Sequence, residues 1–122
     1  MRLPDPLGGG LQEVHVVTFS VAGRNNCAVI AGEPYVYART DEGSFVMRAR
    51  CPHRGGPLHL AELAPEGNRL VCPWHERKTS LTRLRQEIPA VRSGDTVTAV
   101  FPGLPDAEVC TGHRPLSADL AG

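Results

Sequence analysis

Cys51-Pro52-His53-Arg54-Gly55-Gly56-Pro57-Leu58, followed downstream by Leu70-Val71-Cys72-Pro73-Trp74-His75, decides how the rest of the chain is read. Each run offers one thiol and one imidazole with one or two residues between them. That spacing lets the tip of a tight turn aim both side chains at one point. The 18 residues from Arg54 to Val71 are enough to carry the chain out and back. Two such tips can grip one inorganic centre, and the ligand types suit zinc or an iron–sulfur cluster. Zinc fingers usually pair Cys with Cys and then His with His, the second pair on a helix. Here each run is mixed. The mixed order makes sense where two irons are held, two thiolates on one and two imidazoles on the other. A tetrahedral Cys₂His₂ zinc site is the rival reading.

The flanking residues extend the pattern. Cys51-Pro-His-Arg-Gly-Gly-Pro-Leu58 and Leu70-Val-Cys-Pro-Trp-His75 resemble the two cluster-binding boxes of Rieske [2Fe–2S] proteins, and the resemblance runs over roughly residues 11 to 102. It implies an all-β, Rieske-type antiparallel β-sandwich with a small cluster-binding subdomain at one end, about residues 48–92. Residues 1–10 form an N-terminal extension and 103–122 a C-terminal edge strand and tail. It also implies one [2Fe–2S] cluster per chain, with Cys51 and Cys72 on a buried iron and His53 and His75 on an outer one. Arg54, Gly55, Gly56, Trp74 and Pro89 then surround the cluster, Pro89 resembling a third, shielding loop. Two Fe³⁺, two S²⁻ and two thiolates sum to zero charge, whereas four thiolates would leave −2. Reduction of a neutral centre is easier, which places the potential at roughly −150 to +300 mV against about −400 mV for an all-Cys ferredoxin. High-potential family members carry an extra Cys in each box, joined as a disulfide. Gly56 and Trp74 hold those positions here, so the resemblance implies the low-potential, ferredoxin or oxygenase-linked type.

Within the boxes, Gly55 and Gly56 are expected to let the backbone approach closely and to take φ > 0. Pro52, Pro57 and Pro73 stiffen both tips. One departure stands out: the family usually follows its second ligand His with Gly and an aromatic, and this chain has Glu76-Arg77-Lys78. Glu76 is expected to point to solvent or to pair with Arg77 or Arg54. The strand geometry after this point does not follow from the pattern.

A chain of 122 residues, 41% hydrophobic and 5% aromatic, fits one small β-rich domain with a Val/Ala/Leu interior. Strands are expected over Glu13–Val21, Cys27–Ala31, Tyr35–Thr40, Ser44–Arg50, Asn68–Cys72 and Asp95–Phe101, the last beside the first. Asp41-Glu42-Gly43 reads as a hairpin turn, Leu60–Leu63 as one helical turn, and Asp106–Cys110 as an edge strand before a loose tail. No run approaches the ~18 apolar residues of a membrane helix, and Met1–Gln12 lacks the makings of a signal, so the expected compartment is the cytoplasm. There Cys27 and Cys110 stay as reduced, buried thiols. His59 is expected at the surface near the site, while His15 and His113 have no site role.

Charge is uneven although it nets to zero. From Arg48 to Arg92 nine Lys/Arg face four Glu, giving +5, so the remainder carries −5. A basic collar strongest over Arg77, Lys78, Arg83 and Arg85 is expected to steer an acidic redox partner. Basic and aromatic residues are not interleaved, which argues against nucleic acid. No nucleophile–base pair and no second set of 2-His-1-carboxylate ligands is recognisable, which favours a carrier over a terminal oxygenase. The resemblance therefore implies a soluble carrier, monomeric when free, passing single electrons from a reductase to an oxygenase or related oxidoreductase. A dedicated subunit of a larger enzyme and a structural zinc module are the alternatives.

Overall fold

The computed structural model describes residues 14–52, 55–74, 76–102 and 108–122. Among them the strands are β1 (Val14–Ser20), β2 (Cys27–Ile30), β3 (Glu33–Thr40), β4 (Gly43–Arg48), β5 (Glu62–Leu63), β6 (Arg69–Val71) and β7 (Lys78–Ser80), followed by helix α1 (Leu81–Glu87), β8 (Ala90–Ser93), β9 (Thr96–Pro102) and β10 (Val109–Gly112). The expected N-terminal extension and the starts of the Glu13–Val21 and Asp106–Cys110 strands lie outside the described residues.

Alternation along the strands sets which faces are covered. In β1, Val17 and Phe19 turn inward, and in β9 Val97, Ala99 and Phe101 do the same. These strands pair antiparallel, Val17 opposite Ala99 and Phe19 opposite Val97, and with β8 they make a three-stranded sheet whose outer face is wet. β3 behaves differently: Pro34 to Ala38 is buried without a break. The reason is that its sheet, in the order β10-β2-β3-β4, is covered on both faces. Tyr35 and Tyr37 join Phe19, Val97 and Phe101 in one core. Val36 and Ala38 join Phe45, Met47, Leu58, Leu70, Leu81 and Leu84 in the other. The second core carries the site. It cements the small β5-β6-β7 sheet and α1 onto the sandwich.

The architecture is all-β with antiparallel ladders, as the resemblance implied. Several local expectations need correction. The helical turn falls at Leu58–Leu60, earlier than Leu60–Leu63, and Glu62–Leu63 is strand. Past the second box, β7 leads straight into α1, where the Ser80 hydroxyl accepts from the Arg83 N–H and Leu81 and Leu84 face the core. The tail is no loose end. Leu120 is fully buried and its carbonyl accepts from the Arg39 N–H at 2.7 Å, while Ser117 Oγ donates to the Ala61 carbonyl at 2.6 Å. Cys27 is buried but Cys110 is exposed, because β10 is the edge of its sheet, and no disulfide joins them. Burial pushes the Cys27 thiol pKa up, partly offset by the nearby Arg114.

Candidate metal centre

Both boxes are loops closed at their cysteine. The first leaves β4 through Ala49, whose N–H donates to the Pro34 carbonyl, and an Arg50–Pro57 bridge shuts its neck. Inside that neck the Cys51 N–H donates to the Gly56 carbonyl at 2.7 Å, and the Gly55 N–H returns to the Cys51 carbonyl at 2.8 Å. The second box is the tip of the β6–β7 hairpin, beyond the Val71–Lys78 pair. There the Cys72 N–H donates to the Arg77 carbonyl at 2.8 Å. In each box the cysteine amide is thus tied to the carbonyl five residues on, so the two loops share one clamp. A clamped loop holds its side chains in place without a partner.

The two thiols meet. Cys51 is 4% exposed and Cys72 fully buried, no disulfide joins them, and the Cys72 thiol lies within hydrogen-bonding reach of the Cys51 sulfur. Burial raises the Cys72 pKa, the Trp74 N–H pulls it down, and the Cys51 sulfur pushes it up again. A buried thiol that resists ionising, set against a second buried sulfur, fits a centre that brings its own positive charge. Gly56 makes this packing possible, since a Cβ there would stand 2.8 Å from Cys72 Sγ and 3.0 Å from Trp74 Cβ. The positions that would hold the second pair of cysteines in high-potential relatives therefore face one another, filled here by a hydrogen and an indole. Gly55 does have φ +74, whereas Gly56 is outside the left-handed region, so only one of the pair is conformational. Glu76 takes φ +51, a backbone shape that glycine adopts freely, and its side chain is exposed.

His53, Arg54 and His75 lie outside the described residues, and among the described residues no three metal-ligating side chains converge. Pro89 follows α1 and lines a groove with Phe45, Arg85 and Val91, its carbonyl accepting from the Val100 N–H. His59 is buried, not at the surface, because the Leu58–Leu60 turn folds it inward. There its Nδ1–H donates to the Ala49 carbonyl at 3.3 Å, and burial lowers its pKa. His113 Nδ1 donates to the Gly23 carbonyl at 2.9 Å.

The collar residues separate into two kinds. Arg85 donates to the Glu42 carbonyl and lies over the Phe45 ring, and Lys78 pairs with Glu66 at 3.3 Å. Arg48 is paired with Glu87 and Arg50 with Glu33. Arg77 and Arg83 are exposed, and no described carboxylate lies within ion-pair distance of either. Sequence reasoning missed the groove between the first box and α1, lined by Pro52, Thr79, Arg83, Leu84 and Glu87 among others. Its wall leaves only a faint trace in the sequence, Ser80 before Leu81, Leu84 and Ile88 and then Pro89, over a span too short to stand out as a helical period.

The model of the Rieske [2Fe-2S] domain family matches residues 12–102, most of the chain. The chain belongs to the Rieske family. A human Rieske domain-containing protein is 49% identical over 37 residues, covering 29% of this chain and 24% of that relative. The chain thus spans about a quarter of that relative's length. No solved structure matches. Membership brings a [2Fe–2S] cluster and an electron-transfer role. The protein's own contribution is a dry, clamped seat that puts two sulfurs side by side. No helix among the described residues is long and apolar enough to cross a membrane.

Proposed function

We propose that this Rieske protein is an electron carrier of the cytoplasm, passing single electrons from a reductase to an oxygenase or related oxidoreductase, and monomeric when free. Cys51 and Cys72 hold one iron and His53 and His75 the other. Arg54, Gly55, Gly56, Trp74 and Pro89 enclose the cluster. When bound, the cluster supplies one-electron chemistry. The observation that carries the reading is the contact of two buried, unbridged thiols at the necks of two identically clamped loops. Around that seat the chain has the means to meet a partner. Five of its six aromatic residues are buried, and the sixth, Trp74, is 52% exposed on the second tip beside exposed Pro73. A large exposed aromatic is the kind of side chain that anchors an interface. Arg77 and Arg83, with Lys78 and Arg85 behind them, add positive charge.

The test is metal and sulfide analysis followed by a reductive titration watched by EPR. Two irons, two acid-labile sulfides and one electron per chain are expected, with a potential in the lower part of the roughly −150 to +300 mV range. A colourless protein with a single zinc would reject the reading in favour of a structural module.

A further inference from the structure

We propose that the groove between the first box and α1 receives an acidic side chain of the redox protein that docks on the cluster end. The inference rests on the electron-carrier reading above. Its lining includes Pro52, which follows Cys51, buried Leu84, and Thr79, Ser80 and Arg83, around a volume of about 560 Å³. Its charges do not cancel. Arg48 and Glu87 neutralise each other, and Lys78 makes an exposed pair with Glu66, a contact worth little in water. Among the described residues no carboxylate pairs with Arg83, so the groove carries net positive charge.

Two unspent donors lie beside that charge. The Ser80 hydroxyl accepts the Arg83 N–H and keeps its own proton for another acceptor. The Thr79 hydroxyl, a buried group of a groove-lining residue, has no hydrogen-bond partner among the described residues, an uncommon condition for a polar group. A guanidinium with hydroxyl donors and an apolar lining residue recognises a carboxylate carried on a hydrocarbon stem, which is a Glu or Asp side chain. Placement beside Pro52 makes the site useful, because a partner held there by one carboxylate is already next to the first box. Electrostatic capture of this kind acts on the rate of encounter and fades with salt.

The experiment follows reoxidation of the reduced, cluster-loaded protein by stopped flow, using anionic hexacyanoferrate(III) and cationic hexaamminecobalt(III), with and without a hexaglutamate peptide. Wild type is expected to favour the anion at low ionic strength, and hexaglutamate is expected to slow that reaction. Arg83→Glu should lower the anion rate by about threefold or more, raise the cation rate, and abolish the peptide's effect. Thr79→Val, which keeps the shape and removes the hydroxyl, should weaken the peptide's effect while leaving the cation rate unchanged. Arg24→Glu, the same charge change in the exposed β1–β2 loop, should move the rates much less. Equal effects of Arg24→Glu and Arg83→Glu, or a peptide that leaves wild type untouched, would overturn the docking groove while the carrier reading stands. A protein that accepts no electron overturns both.

Discussion

Gly56 is fixed by what stands opposite it, not by its own backbone. A methyl group at this position would meet Cys72 Sγ at 2.8 Å and the Trp74 side chain at 3.0 Å, and neither can retreat, because both belong to a clamped loop. Gly56→Ala is therefore expected to prise the two boxes apart. Iron and sulfide per chain should fall below half of wild type, and stability should drop by about 1–3 kcal/mol, as for an overpacked core. Gly55→Ala makes the contrast. It has open space around it and only a φ of +74 to maintain, so the cost is about 1 kcal/mol of backbone strain with the cluster retained. Equal cluster loss in both variants would show that the steric account is wrong. The sequence pattern treats the two glycines alike. It cannot separate them, because the neighbour that makes Gly56 obligatory comes from the other box. Cys51 and Cys72 were legible as partners because their chemistry is rare. His59 was not, since whether a histidine points inward depends on which residue of a three-residue turn faces the core.

At the scale of elements, hairpins signalled themselves by turn chemistry and the helix did not. Asp41-Glu42-Gly43 closes β3 onto β4, with the Thr40 hydroxyl stapling the turn through the Glu42 N–H and the Gly43 carbonyl. Helix α1 spans only seven residues, too short for its two buried leucines to stand out as a period, and it owes its place to the second core. The β2–β3 hairpin shows a strain that the sequence hides. Its central residues, Ala31 and Gly32, have φ of 53° and 82°, positive at both positions as in the primed turns that suit hairpins. Alanine is a poor occupant of that backbone shape and asparagine a good one. Ala31 is exposed, so nothing else holds the residue type. Ala31→Asn should raise the urea midpoint by an amount equivalent to roughly 0.5–1 kcal/mol without altering the slope of the transition. A lowered midpoint would mean that a contact of the alanine methyl outweighs turn geometry.

Across the whole molecule, the C-terminal segment joins the sandwich to the cluster end. Asn26 and Arg114 exchange two hydrogen bonds, from Nδ2 to the Arg114 carbonyl at 2.8 Å and from the Arg114 N–H to Oδ1 at 2.9 Å. Further on, the Ser117 N–H donates to the His59 carbonyl at 3.1 Å, and Asp119 accepts from the Leu63 N–H at 2.9 Å. Leu120 then plugs the second core beside Val36, Leu58 and Ala61. The segment thereby pins the stretch that follows the first box, a role that its Pro/Gly-rich lead-in conceals, since composition marks turns but not where the chain after them lands. Leu120→Ala leaves a cavity in that core and should cost about 2–5 kcal/mol in urea unfolding of the cluster-loaded protein. Because the same core holds Leu58 of the turn after the first box, loss of visible absorbance in the presence of an iron chelator should speed up in parallel. If the plug serves the sandwich alone, the variant unfolds earlier yet releases iron at the wild-type rate under native conditions. That result would uncouple the tail from the metal centre.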